Sequence, residues 1–234
     1  MTLEIIIVVV SIVLAGGTTG AIIYWDDVLS FFKWKRIAIL GDQETGKTTL
    51  FTFLLTGELI TEYMPTRGSE KTPQKRFPMK DLELKVKESL DVSGSSFARD
   101  QWRKIALEAD IIIYLTRIDL LLSKDINICD RIIKDAVLIA GWLKDHYKTS
   151  GIKKSCVLIG TFADKVNDYN PSDGRSVQTL DALFQGNETL KVVARNLRSV
   201  TSDDGLLVFI GSMETKEQTS ALAETLLKRL GTKR

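Results

Sequence analysis

Hydrophobic positions form one long unbroken run near the start of the chain, followed by shorter runs separated by amphipathic stretches. Short apolar runs, and apolar residues at every second position, are typical of β-strands. The continuous run at Asp110–Leu115 is typical of a buried parallel strand. Five strands are predicted on this basis: Arg36–Leu40, Leu82–Leu90, Asp110–Leu115, Ser155–Gly160 and Leu206–Ile210.

Stretches with apolar residues at helical spacing lie between these strands. They predict helices at Thr48–Leu59, Ile126–Tyr147, Leu180–Leu197 and Lys216–Leu230. Strands that alternate with helices indicate an α/β fold, in which a mostly parallel sheet is covered by helices on both faces. Because ligands of such sheets bind at the carboxyl ends of the strands, functional residues are expected in the loops after the predicted strands.

The long apolar run at the start is Ile5–Trp25, and Tyr24 carries its only ionisable side chain. As a helix at about 1.5 Å per residue it would extend roughly 31 Å, which matches a hydrocarbon core of about 30 Å. The run therefore predicts one transmembrane helix. A buried core helix and a cleaved signal peptide are the alternatives, although no basic segment precedes the run and no A-x-A-like site follows it.

The residues that flank this run predict its orientation. Lys33, Lys35 and Arg36 follow it closely, and no basic residue precedes it. The positive-inside rule then places the N-terminus outside or in a lumen and the large domain in the cytoplasm. The predicted organisation is a membrane anchor in the lipid bilayer over residues 1–25, a juxtamembrane linker over 26–35 and one globular domain over 36–234.

Composition excludes several classes of function. Two cysteines without a C-x-x-C pair cannot build a disulfide framework. The single histidine, His146, argues against a histidine-rich metal site and against a Ser-His-Asp centre. A net charge of +2 gives no support to direct binding of nucleic acid.

The loop after the first predicted strand carries a phosphate-binding motif. Residues 41–48 read GDQETGKT, which fits the Walker A pattern G-x-x-x-x-G-K-[ST]. Its glycines permit a tight loop whose backbone N–H groups face a phosphate, and the following helix adds its positive N-terminal end. The predicted nucleotide-binding residues of this region are Gly41, Asp42, Gln43, Glu44, Thr45, Gly46, Lys47, Thr48 and Thr49.

Four further motifs follow downstream. They are Pro65-Thr66-Arg67-Gly68, Asp91-Val92-Ser93-Gly94 with Arg99 and Trp102-Arg103 behind it, Thr161-Phe162-Ala163-Asp164, and Gly211-Ser212. Their order and spacing resemble the Ras-like small GTPases, and the first two motifs are most similar to those of the Arf/Sar group. The resemblance covers roughly residues 35–230 and implies a P-loop NTPase fold of the Ras-like type. With a membrane helix in front, the arrangement also resembles the β subunit of the signal recognition particle receptor.

The resemblance implies a role for each matching residue. Lys47, Thr66 and Gly94 would contact the γ-phosphate of GTP and take part in its hydrolysis. Mg²⁺ would be held by Thr48, Thr66 and Asp91. The guanine base of GTP or GDP would meet the residues of the last two motifs and their neighbours, which are Thr161, Phe162, Asp164, Lys165, Ser212 and Met213.

The base-binding motifs depart from the family pattern. The usual N-K-x-D is replaced by Thr161-Phe162-Ala163-Asp164, and Gly211-Ser212-Met213-Glu214 stands where S-A-K is usual. Asp164 can still accept hydrogen bonds from the guanine N1–H and exocyclic amine, which adenine cannot supply. In the N-K-x-D motif the aliphatic part of the lysine side chain lies on the base, and the ring of Phe162 can lie there in its place. Guanine is therefore favoured over adenine, and a P-loop ATPase is the alternative.

Ser95 stands where the glutamine that orients the attacking water is usual. Its hydroxyl is too short for that task, so slow intrinsic hydrolysis that depends on a GTPase-activating protein is expected. The function favoured by the sequence is a membrane-anchored GTP-binding switch that recruits a cytosolic effector or receptor subunit. The alternative is a docking subunit in which bound GTP is never hydrolysed.

Overall fold

The computed structural model describes residues 7–11, 35–56, 59, 85–88, 96–167, 182–183, 185–201 and 206–231 of the chain. The strands in these ranges are β1 (Ile7–Ser11), β2 (Arg36–Gly41), β3 (Lys85–Glu88), β4 (Ile111–Arg117), β5 (Ser155–Thr161) and β6 (Leu206–Ile210). The helices are α1 (Lys47–Thr56), α2 (Ser96–Glu108), α3 (Ile118–Leu122), α4 (Ile126–Ser150), α5 (Glu188–Arg198) and α6 (Lys216–Gly231). The predicted α/β fold is confirmed.

The strands form one parallel sheet in the order β1-β6-β5-β4-β2-β3. From β2 the chain builds outward to β3 in one direction, and from β4 it builds outward to β5 and β6 in the other. The strand order therefore changes direction between β2 and β4, where Gly41 pairs with Leu115. Ligands of open α/β sheets bind outside the carboxyl ends of the strands at such a point.

Successive residues of the central strands point to opposite faces of the sheet and bury both faces. In β4, Ile112 and Tyr114 face one layer of helices, whereas Ile111 and Ile113 face the other. The first layer consists of α2, α3, α4 and α5, and the second consists of α1 and α6. Because helices cover both faces, nearly all side chains of these strands are buried, which explains why their sequences are continuous apolar runs.

Three helices differ in length from their predictions. The first ends at Thr56 rather than Leu59, and α4 continues to Ser150, where Gly151 ends it with a φ of 69°. The helix predicted over Leu180–Leu197 is not one element: Ala182, Leu183 and Gln185 are helical, and α5 begins separately at Glu188. The side chain of Asn187 caps α5 by accepting the Leu190 N–H at 3.1 Å. Helix α2 was not predicted, since its sequence is largely polar and few of its residues are buried.

The start of the chain differs from the predicted transmembrane helix. Ile7–Ser11 form a strand that pairs with β6 from Ile7↔Leu206 to Ser11↔Ile210. Isoleucine and valine are β-branched and favour strands, and the edge of β6 supplies backbone partners that the local sequence does not reveal. The remainder of the predicted span lies outside the described residues. Among those that are described, no helix has the length and apolar character needed to cross a membrane.

Candidate nucleotide-binding site

The phosphate loop, residues 41–48, leaves β2 at the point where the strand order changes direction. Gly41 has a φ of 150°, and a Cβ atom there would lie 2.5 Å from the backbone oxygen of Leu115 in the neighbouring strand. Gly46 has a φ of 85°. Both positions require glycine, because other residues rarely adopt these backbone angles and Gly41 also has no room for a side chain. The motif thus forms the tight loop that it predicts.

Lys47 begins α1 and is buried, with 3% of its surface exposed. Its Nζ donates a hydrogen bond to the carbonyl oxygen of Asp42, across the loop. The hydroxyl of Thr45 donates to the same carbonyl oxygen at 2.9 Å. A buried ammonium group held over a tight loop is a suitable cation for a phosphate chain. Its predicted contact with the β- and γ-phosphates stays a prediction.

A cavity of about 300 Å³ lies next to the phosphate loop. It is lined by residues of this loop and of the two loops that follow β5 and β6. Every residue but one of those that line it was predicted from the sequence to bind nucleotide. The exception is Glu214, which the sequence left as a departure from the family motif. The lining residues are Gly46, Thr49, Thr161, Phe162, Asp164, Lys165, Ser212, Met213 and Glu214.

Thr161 lies at the end of β5 and is buried. Its hydroxyl group is within hydrogen-bonding distance of two backbone carbonyl oxygens, that of Thr45 at 3.0 Å and that of Thr116 at 3.2 Å. The side chain therefore ties β5 both to the phosphate loop and to β4. Threonine in place of the usual asparagine thus serves to hold the loops together at this edge of the sheet.

Phe162 follows at the cavity wall, with its backbone in the left-handed region. Two cations lie over its ring: the guanidinium carbon of Arg117 is 4.5 Å from the ring centroid, and the Nζ of Lys165 is 4.8 Å from it. Asp164 is exposed at the same wall. Its carboxylate is available to a ligand in the cavity, as the sequence predicts for a residue that binds the base.

Ser212 and Met213 form the third side of the cavity. The hydroxyl of Ser212 accepts the N–H of Glu214 at 3.2 Å and shapes the turn after β6. Met213 lies so close to Gly46 that a Cβ atom at Gly46 would collide with its terminal methyl group. The loop after β6 is therefore packed directly against the phosphate loop.

A cluster that the sequence did not predict lies on the other side of the phosphate loop. Asp135 is buried and accepts hydrogen bonds from the Tyr114 hydroxyl at 2.7 Å and the Arg131 Nε at 2.9 Å. Arg131 also approaches the carboxylate of Asp42 at 3.9 Å and lies over the ring of Trp102. Burial, with the neighbouring charge of Asp135, raises the pKa of Tyr114 well above its usual value. These residues come from α2, β4, α4 and the phosphate loop, so no local pattern could reveal them.

The predicted metal ligands are described only in part. Thr48 is half-buried in the first turn of α1. Thr66, Asp91, Gly94 and the neighbouring Ser95 lie outside the described residues. Within the described part of the chain, no three acidic, histidine or cysteine side chains are grouped as metal ligands. Thr48 fits the single protein ligand that a phosphate-bound Mg²⁺ takes from this loop, because such ions keep most of their contacts to phosphate and water.

Comparison with known proteins agrees with this geometry. Residues 24–139, just under half of the chain, match the model of the Arf family, the ADP-ribosylation factor family. The match includes the phosphate loop and ends before Thr161. It therefore does not include the base loop, residues 161–165, which begins at the end of β5. None of the curated proteins matches the sequence.

Three solved structures are similar to this chain in fold. The Arl6 (BBS3) small GTPase of Trypanosoma brucei with bound GppNp is 13% identical, with a TM-score of 0.50 over 86% of this chain and 99% of that one. The Arf-like SAR1 small COPII coat GTPase of Encephalitozoon cuniculi in complex with GDP is 18% identical, with a TM-score of 0.48 over 88% and 84%. A GTP-binding protein of Sulfolobus solfataricus in complex with GDP is 16% identical, with a TM-score of 0.47 over 85% of this chain. This chain spans about half the length of the Sulfolobus protein.

Proposed function

We propose that this protein is a GTP-binding switch that hydrolyses GTP slowly and recruits a cytosolic partner at a membrane. The observation that carries the proposal is the cavity in which the phosphate loop, Asp164 and Ser212 meet. A nucleotide needs a phosphate site and a base site at a fixed separation, and these loops supply both at one edge of the sheet. The Arf-family match supports the same function.

The base is proposed to be guanine. The carboxylate of Asp164 is exposed at the cavity and accepts two hydrogen bonds from the N1–H and the exocyclic amine of guanine. Adenine has no hydrogen at N1 and no amine at C2, so it would leave the carboxylate without these partners. Hydrogen bonds to a charged group are among the stronger polar contacts, which makes Asp164 the residue that selects the base.

Hydrolysis is proposed to depend on the cation of Lys47 and on Mg²⁺. Bound Mg²⁺ neutralises charge on the β- and γ-phosphates, and Thr48, Thr66 and Asp91 would hold it. Lys47 stabilises the negative charge of the transferring phosphoryl group from its buried position. Ser95 does not replace a water-orienting glutamine, so the protein would rely on a GTPase-activating partner for fast turnover.

Membrane attachment is proposed from the sequence of Ile5–Trp25, which is long enough to span the bilayer. The same residues include β1, which pairs with β6. A span and this pairing exclude each other, because the span needs all of its residues in a helix. Attachment therefore requires that β1 leave the sheet, with the nucleotide-binding domain on the cytoplasmic side. Resistance of the full chain to extraction from membranes by alkaline carbonate would support attachment, and full release would contradict it.

A second candidate function is a docking subunit that holds GTP without hydrolysing it, and Ser95 is the residue that favours it. The two candidates differ in the fate of the nucleotide. We expect the purified full chain to bind GTP and to release phosphate in a single turnover at a slow but measurable rate. Complete retention of GTP, both as purified and after prolonged incubation with Mg²⁺, would favour the docking subunit. Absence of GDP and GTP binding would contradict both.

A further inference from the structure

The ring of Phe162 is held in an unusual position at the cavity wall. Its backbone has a φ of 61° and a ψ of 36°, in the left-handed region that bulky residues rarely occupy. The ring is half-buried and lines the cavity together with Asp164, two residues further on. A costly backbone conformation persists only where the surroundings hold it, and such positions are concentrated at ligand-binding sites.

Arg117 lies against the ring of Phe162. It is the last residue of β4, and its guanidinium carbon lies 4.5 Å from the ring centroid of Phe162. Both carboxylate oxygens of Asp119 accept hydrogen bonds from Arg117, one from Nε at 3.1 Å and the other from the terminal amino group. Such a bidentate pair fixes the plane of the guanidinium. Arg117 itself does not line the cavity, so it supports the ring from outside it.

Lys165 also contacts the ring, but in a different way. Its Nζ lies 4.8 Å from the ring centroid, and its side chain is exposed and lines the cavity. Its flexible chain can move aside when a ligand enters, whereas Arg117 is fixed by Asp119. Of the two cations beside the ring, Arg117 is therefore the one whose position is fixed by an ion pair.

We propose that Arg117 is a positioning residue that fixes the ring of Phe162 as a stacking platform for the purine of the bound nucleotide. The inference rests on the proposed function, since it concerns the base of the same nucleotide. Aromatic rings stack on purines, and a cation against an aromatic ring is a favourable contact in itself. The platform takes the place of the lysine that the base motif lacks, while Asp164 selects the base.

The test compares ligands with and without a base. Inorganic pyrophosphate occupies the phosphate loop alone, so the ratio of the GDP and pyrophosphate affinities isolates the base contact. With Mg²⁺ and the full chain, we expect Arg117→Met to weaken GDP binding about tenfold while pyrophosphate binding stays within about twofold. Arg117→Lys keeps the cation and should recover much of the loss. Phe162→Leu should weaken GDP binding as much as Arg117→Met does.

Lys153→Met is the matched control, because Lys153 lies over the ring of Tyr147 at 5.6 Å, away from the cavity lining. It should leave the affinities for GDP and pyrophosphate unchanged. The inference is overturned if Arg117→Met and Phe162→Leu bind GDP as the control does. It is also overturned if they lose GDP and pyrophosphate equally, because that result indicates a merely structural role. Failure of the unmodified chain to bind GDP would instead overturn the proposed function itself.

Discussion

The phosphate loop and the base loop line the same cavity, yet they depend on different kinds of residue. The phosphate loop depends on backbone: Gly41 and Gly46 adopt conformations that other residues avoid, and Gly41 has no space for a side chain. The base loop depends on side chains, namely the hydroxyl of Thr161, the ring of Phe162 and the carboxylate of Asp164. A side chain can be replaced by another that serves the same physical role. A glycine that is required by its backbone conformation cannot be replaced by any other residue.

This difference explains which motifs of this chain keep the pattern of the Ras-like GTPases and which depart from that pattern. The phosphate loop fits its motif residue by residue and lies inside the family match, which ends at residue 139. The base loop lies beyond that match and keeps only its aspartate. Three substitutions test whether the two loops differ in this way, and they are ordered by the expected size of the effect.

Loss of the buried cation should have the largest effect. Lys47→Ala removes an ammonium group that is buried beside the loop and bonded to the Asp42 carbonyl oxygen. We expect the affinity for GDP and for pyrophosphate to fall about 1000-fold, or about 4 kcal/mol, in a calorimetric titration. Lys134→Ala removes the same charge from an exposed position on α4 and should change neither affinity. A fall of less than about tenfold in Lys47→Ala would show that the loop binds phosphate without this cation.

The next largest effect should be on the folded state. Gly41→Ala places a Cβ atom 2.5 Å from the Leu115 backbone oxygen at a φ of 150°, so the free energy of unfolding should fall by about 3 kcal/mol. Gly141→Ala is the control, because a Cβ atom there meets nothing within 4 Å inside α4. That variant should be about 0.5 to 1 kcal/mol more stable than the natural chain. Equal unfolding midpoints in urea for the two variants would contradict the backbone account of the phosphate loop.

The smallest effect is expected where the two loops are tied together. Thr161→Val leaves the carbonyl oxygens of Thr45 and Thr116 without the hydroxyl, which should lower the free energy of unfolding by about 2 kcal/mol. GDP affinity should fall severalfold, because the phosphate loop loses its link to β5. Thr225→Val is the control, since its hydroxyl bonds only the Ala221 carbonyl oxygen one turn back in α6. Equal melting temperatures and equal GDP affinities of Thr161→Val and Thr225→Val would show that the hydroxyl of Thr161 contributes to neither stability nor binding.

Much of the fold could be predicted from the sequence, because buried parallel strands are continuous apolar runs. Strands β2, β4, β5 and β6 match their predictions to within two residues at either end. The loops that line the cavity were predicted because each follows such a strand. Helix α2 was not predicted, since its sequence is largely polar and few of its residues are buried. Strand β1 could not be predicted, because its partner β6 lies about 200 residues away in the chain.

The contacts that hold the site together were also beyond prediction. Arg117 reaches Phe162, and Arg131 reaches Asp42, across long stretches of sequence. Only the order of the strands brings these pairs to one edge of the sheet. The sequence could identify Asp164 by its place in a motif, but the support of the neighbouring ring by Arg117 has no signature in the local sequence.

The most direct test of the central claim is competition between GDP and ADP for the full chain with Mg²⁺. We predict that GDP binds about 100-fold more tightly than ADP and that Asp164→Asn abolishes most of this ratio, since one charged hydrogen-bonding group selects the base. Pyrophosphate affinity should be unchanged in Asp164→Asn, and Asp145→Asn on the exposed face of α4 should keep the full ratio. Equal or tighter binding of ADP by the unmodified chain would contradict the account and leave a P-loop fold without a guanine site.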